Sequence, residues 1–192
     1  MTAAAVYLEQ DAELMLRVRA GDSLSFALLL ERHRRPVIHF LYRMVQNQAV
    51  SEELAQEVFL RVYKARATYE PTAKFTTWLF RIASHLAINW MRDRKMERLQ
   101  DSLDSPPEGQ TIQLPDKAMT KEQEMLHSAR MAEVRAAIQG LPPKQRAAVL
   151  MHKYQEMGYS QIAKVFQCSE SAVKSLLFRA YETLRARLAH MG

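Results

Sequence analysis

A single cysteine stands in this 192-residue chain, so neither an internal disulfide nor a cysteine-rich zinc site can form. That residue, Cys168, falls between two helical patterns and reads as a small buried side chain. Glycine is scarce, with five scattered residues, which excludes a glycine-rich phosphate loop. No HExxH sequence occurs. The six histidines (His33, His39, His85, His127, His152 and His190) show no metal-ligand spacing with carboxylates and are expected to be satisfied or solvent-facing. Ser84 and His85 are adjacent, the wrong relation for two groups that must meet one point on a helix. The chain has no apolar run of roughly 18 residues to cross a membrane, and no basic start followed by a long apolar segment to act as a signal peptide. Residues 1–98 lack the strand–helix alternation of an effector or phosphoacceptor domain. The expectation is a cytoplasmic protein that is not an enzyme, with no metal and no cofactor.

What is present is apolar content of 48%, enough for folded cores, and a formal net charge of +6 with a pI near 9.5. The charge is uneven. Residues 1–98 carry 15 Lys/Arg against 11 Asp/Glu, residues 99–128 carry 2 against 6, and residues 129–192 carry 10 against 4. Two basic blocks around an acidic connector suit two modules that face a polyanion. The connector, DSLDSPPEGQTIQLPDK, has three prolines and no helical stripe. The pattern predicts an all-α protein of two small helical domains, 1–98 and 125–192, joined by a flexible acidic linker over 99–124.

In the first domain, helices are expected over 12–19, from an Asp22 cap to about 45, over 51–67 and over 75–95, with residues 1–10 frayed or lightly packed. Gly21 should stop the first of these, and Pro36 should kink or divide the second. Leu54, Val58 and Val62, flanked by Ala55, Phe59 and Tyr63, make the third a core helix. Its other faces carry Glu53, Gln56, Glu57 and Leu60, a leucine among acids that suits protein docking. The fourth lines one face with Phe75, Leu79, Ile82 and Leu86 and ends on Asn89, Arg92, Arg94 and Lys95, with Trp78 and Trp90 at its edges. Basic groups beside aromatics can track a phosphate backbone, although cations also suit any helix C-terminus.

The second domain should hold four helices, the last two separated by almost no loop. In GYSQIAKVFQCSESAVKSLLFRAYETLRARL, Ser169 can cap the final helix, and Val173, Leu177, Ala180 and Leu184 form its apolar stripe. Two short helices joined this tightly cross steeply, the helix-turn-helix arrangement whose second helix enters a major groove. Ser171, Ser175, Phe178 and Arg179 lie opposite or beside the stripe, with Lys174 on its flank. Arg179 and the serines can meet base edges, and Lys174 phosphate. From these residues alone, a stand-alone helix-turn-helix regulator and a polymerase regulator that does not touch DNA both remain open.

Four segments in order carry a family resemblance: ELAQEVFLRVYKA (53–65), FTTWLFRIASHLAINWMRDRK (75–95), LPPKQRAAVL (141–150) and YSQIAKVFQCSESAVKSLLFRA (159–180). Together they resemble bacterial RNA polymerase sigma factors of the extracytoplasmic-function (ECF) group of the sigma-70 family, which have only regions 2 and 4. The resemblance implies that 1–98 binds core polymerase and the −10 element, while 125–192 reads the −35 element. It implies a core-docking face of Glu53, Gln56, Glu57 and Leu60, and a −10 set of Lys74, Asn89, Arg92, Arg94 and Lys95. The loop around 68–74 would hold a flipped base. The −35 set would be Ser171, Lys174, Ser175, Phe178 and Arg179. Implied partners are core RNA polymerase, through the β′ clamp helices and the β flap, promoter DNA and an anti-sigma factor. The chain departs from the family where Leu176 replaces a frequent Arg, Phe178 a common His, Gln167 a turn Gly and Gly158 a capping Ser.

Overall fold

The computed structural model describes residues 3–100 and 121–191, with side chains from 10–97 and 128–190. The fold is all-α, in two helical clusters. The connector at 101–120 and the side chain of His127 lie outside the described residues.

The first cluster opens with α1 (Ala3–Arg19), which begins well before the expected position 12. Gly21, at φ +101°, turns the chain at its end, a conformation that side chains with a Cβ resist. The turn returns N–H bonds from Gly21 to the Val18 carbonyl and from Asp22 to the Arg17 carbonyl. Asp11 is buried in α1 and accepts from His33 at 2.8 Å and from Arg32. Half of the basic run 32–35 is therefore structural. A buried carboxylate is tolerable only with such partners.

Asp22 caps α2 (Ser23–Val45), accepting from the backbone N–H groups of Leu24 at 2.9 Å and Ser25 at 3.3 Å. Pro36 does not divide this helix, which runs through it unbroken. The Ser25 hydroxyl donates to the same carboxylate at 2.7 Å, and these bonds hold the Asp22 pKa below 3.8. A depressed folded pKa gives stability that is present above the unfolded value and lost as pH falls through the folded one. Asp22→Ala should therefore lower the melting temperature at neutral pH, and the gap to wild type should close below about pH 4. Thermal melts recorded across that range check it.

Asn47 caps α3 (Gln48–Lys64), which starts three residues before the expected position 51, its side chain accepting from the Val50 N–H at 3.0 Å. Ala55, Val58, Phe59 and Val62 are buried from this helix. A 3-10 turn (Ala65–Thr68) leads into the loop before α4 (Phe75–Gln100), which continues past its expected end near 95. Phe75, Leu79, Phe80, Ala83 and Ala87 are buried, and Ile82 is only half-buried. Phe80 meets Phe40 edge-on at a centroid distance of 5.3 Å. Tyr69, Phe75 and Trp78 form a second aromatic group at the base of the loop. Burying a side chain of this size contributes about 1.5–3 kcal/mol.

The second cluster contains α5 (Lys121–Gln139), α6 (Pro143–Tyr154), α7 (Tyr159–Phe166) and α8 (Glu170–Leu188). Pro143 opens α6 at the position where a missing N–H costs nothing. Six consecutive residues of α6, Arg146 to Met151, are buried, because it packs on α8 and also on α2 and α4 of the first cluster. A helix covered on all sides shows no one-sided stripe.

Candidate nucleic-acid interface

The α7–α8 pair is set by its two caps. Gln167 ends α7 in the left-handed region at φ 53° and ψ 49°, the backbone that glycine would adopt more easily. The Gln161 side chain accepts from the Gly158 N–H at 3.1 Å at the other end of α7. The Ser169 hydroxyl accepts from the Ala172 N–H at 3.1 Å and starts α8. Ile162, Ala163 and Val165 of α7 are buried, as are Val173, Leu177 and Ala180 of α8. Leu176, where the resemblance expected a frequent arginine, is half-buried and packs against this core.

That packing leaves Ser171, Lys174, Ser175, Phe178 and Arg179 exposed together on α8. Phe178 is 65% exposed, a large apolar ring left open to solvent among the described residues. The Arg179 Nε–H donates to the Ser175 carbonyl at 3.2 Å, which aligns the side chain with its own helix. Among the described residues, neither Arg179 nor Lys174 has an ion-pair partner. Cys168 corrects the expectation of burial: it is exposed. It follows the left-handed Gln167 and lines a cavity, instead of turning into the α7–α8 core.

At the far end of α4, Asn89, Arg92 and Lys95 follow one i, i+3 row and are exposed, as is Arg94. The Arg94 guanidinium lies 5.2 Å from the Trp90 ring centroid, and Arg92 pairs with Asp93 at 3.0 Å. Lys74 is exposed but stands just before the opposite end of the helix, ~22 Å along the axis from Asn89. The −10 set is thus two patches. Between them lie Arg81 and His85. Burial lowers the His85 pKa, and the charges of Arg81 and Lys144 lower it further.

On α3, Glu53, Gln56 and Leu60 are exposed and Glu57 is half-exposed, at spacing i, i+3, i+4 and i+7 on one face. Glu57 accepts from Arg61 at 2.6 Å. Leu60 keeps 45% of its surface in solvent, flanked by polar groups.

Sequence reasoning missed Arg146. It is 7% exposed and donates to the Leu141 carbonyl at 3.4 Å, to the Met44 carbonyl at 2.6 Å and to the Gln139 carbonyl. Burial lowers its pKa to about 10. The one available signal was an arginine set in an otherwise apolar helix run. Among the described residues no helix is long and apolar enough to cross a membrane.

A helix-turn-helix with an outward basic face, beside a second helical unit with a basic helix end, defines a two-part DNA-binding transcription protein. The chain belongs to the sigma-70 family, in its ECF group: the model of sigma-70 region 2 matches residues 29–97 and that of sigma-70 region 4 matches 131–184. It is 33% identical over 180 residues to the RNA polymerase sigma-H factor of Pseudomonas aeruginosa, covering 92% of each chain. It is 28% identical over 174 residues to the ECF RNA polymerase sigma factor SigW of Bacillus subtilis, covering 90% of this chain and 93% of that protein. In fold it is similar to the sigma factor RpoE solved in complex with the anti-sigma factor NepR from Bartonella quintana. The TM-score there is 0.67 at 21% identity, over 85% of this chain and 96% of that one.

Proposed function

We propose that this protein binds core RNA polymerase in the cytoplasm, directs it to −35 and −10 promoter elements and promotes separation of the two DNA strands. Residues 1–98 serve as the region 2 domain and 125–192 as the region 4 domain, with 99–124 between them. The α3 face of Glu53, Gln56, Glu57 and Leu60 docks on the β′ clamp helices, and the second domain meets the β flap. The loop before α4, with Lys74, holds a flipped non-template base, while Asn89, Arg92, Arg94 and Lys95 engage the −10 DNA. Ser171, Lys174, Ser175, Phe178 and Arg179 read the −35 element. Phosphodiester chemistry belongs to the polymerase, and an anti-sigma protein is the expected restraint.

The observation that carries this reading is the α8 face: a serine, lysine, phenylalanine and arginine surface exposed over the buried Val173–Leu177–Ala180 stripe. Either reader alone would bind weakly, and fixing both on one polymerase raises their effective concentration. The test is run-off transcription over a random promoter library with core polymerase, this protein or both. Promoter opening that requires both is expected. DNA binding without polymerase dependence would favour the stand-alone regulator, and polymerase binding without promoter selection would favour the regulator that leaves DNA alone.

A further inference from the structure

Arg19, the last residue of α1, donates from Nη1 to the Tyr69 carbonyl at 3.2 Å, across 50 residues of chain. A cation suits the end of any helix, but this one bonds a carbonyl of another element. Tyr69 follows the 3-10 turn and is the foot of the loop before α4. Further back along α1, the buried Asp11 pairs with His33 at 2.8 Å. The His33 ring lies 5.3 Å from the ring of Phe75, the first residue of α4. The loop is thus held at both ends from α1: at Tyr69 by Arg19, and at Phe75 by Asp11 through His33.

The foot needs that support. The Tyr69 ring is buried, with its centroid 6.4 Å from that of Phe75 and 5.0 Å from that of Trp78. Its hydroxyl is buried with no hydrogen-bond partner among the described residues. Burial raises the phenol above its ordinary pKa, and the Asp11 charge raises it further. An unpaired buried hydroxyl gains by reaching water, so ring packing works against an outward pull. The described backbone bonds of the foot are local: the Tyr69 N–H donates to the Arg66 carbonyl at 3.3 Å and the Thr72 N–H to the Glu70 carbonyl at 2.8 Å. Neither ties the loop to the rest of the domain, whereas the Arg19 bond does.

We propose that Arg19 and Asp11 are positioning residues for strand separation: α1 fixes both ends of the loop before α4, so that the loop is already shaped to take a base out of the duplex. The proposal rests on the reading of that loop as the holder of a flipped base. Unstacking a base is costly, and a holder that had first to be ordered would add its own entropy loss to the barrier. A loop braced in advance adds none. Both residues act through Tyr69 and Phe75 and stand apart from the α3 docking face and the α8 face. Their loss therefore falls on opening, and leaves core binding and −35 reading in place.

The test uses full-length protein, alone and with core polymerase. Arg19 is exposed, so Arg19→Ala opens no cavity in the core. In the free protein, hydrogen exchange at the Tyr69 and Thr72 amides should be faster in this variant than in wild type. Opening is read at saturating holoenzyme from 2-aminopurine in the non-template strand of the −10 element. Arg19→Ala should slow it roughly tenfold, with core affinity and initial promoter binding within about twofold of wild type. Arg19→Lys keeps a donor and should recover most of the rate; Asp11→Asn loosens the His33 end and should slow opening in the same direction. Asn47→Ala removes the α3 cap and lowers stability without touching the brace, so it should open at the wild-type rate. Unchanged exchange in Arg19→Ala, or equal slowing in Asn47→Ala, would overturn the positioning role. Thr72→Gly with Lys74→Ala tests the loop itself. Slow opening there with a normal rate in Arg19→Ala would sink the positioning role alone, and normal opening there would sink the loop reading and the positioning role with it.

Discussion

Gln56→Ala combined with Leu60→Asp should reduce affinity for core polymerase by at least roughly thirtyfold, with folding unaffected. Both side chains are exposed on α3, and the core of that helix, Ala55, Val58, Phe59 and Val62, points the other way. The variant therefore leaves the buried packing of α3 intact. Leu60 is the one large aliphatic group on the proposed docking face, and a leucine that becomes fully covered at an interface centre can contribute like a hot spot. An aspartate there must be desolvated beside Glu53 and Glu57, which adds like-charge repulsion. The thirtyfold figure corresponds to about 2 kcal/mol. The measurement is a titration of labelled protein with core enzyme, alongside a thermal melt. Unchanged affinity with an intact melt would remove the docking role from α3.

Helix ends are the most legible part of the fold, because a cap is a local device. Asp22, Gly21 and Ser169 each act within a few residues of their own position, and sequence spacing alone points to them. Asn47 is masked because Ser51, four residues later, offers the same chemistry; its hydroxyl instead donates to the Asn47 carbonyl at 2.5 Å. The α8 face is legible because one side of that helix packs and the other does not. Its period of 3.6 separates Val173, Leu177 and Ala180 from the polar residues.

Where two surfaces compete for one helix, periodicity fails. In α6 the burial of six successive residues arises from neighbours in both domains, so no stripe marks the seam. Arg146 reads as a solvated cation until the carbonyls of Met44 and Gln139 are brought to it from 102 residues and 7 residues away. Cys168 fails for a related reason. Composition places a lone cysteine inside, but its direction follows from the left-handed Gln167 before it, a backbone state that a residue other than glycine rarely advertises. Lys74 shows the limit of a residue set carried over from a resemblance: it shares a helix region with Asn89 and Arg92 in sequence, yet ~22 Å of helix separates them.

Arg179→Ala should lower initiation at a −35-dependent promoter roughly tenfold or more while leaving core polymerase affinity within about twofold of wild type. Among the described residues the guanidinium bonds only to the Ser175 carbonyl of its own helix, so its removal frees no buried partner there and should not disturb the α7–α8 packing. An arginine paired with a guanine edge provides about 1–3 kcal/mol of discrimination, which sets the tenfold scale and requires preference to relax at one base position. Arg179 is in the third turn of α8, ~14 Å from its start, so it reaches the groove through its length, with Ser171 and Ser175 nearer the tip. Lys174→Ala provides the contrast: without its ammonium on a phosphate, binding should weaken evenly across sequences and the salt slope should fall by about 1. Run-off transcription on promoter variants, paired with a core-binding titration, separates the outcomes. Equal loss of initiation and core binding on removing Arg179 would mean that this side chain orients the domain on polymerase, and the reader would then have to be sought among the serines and Phe178.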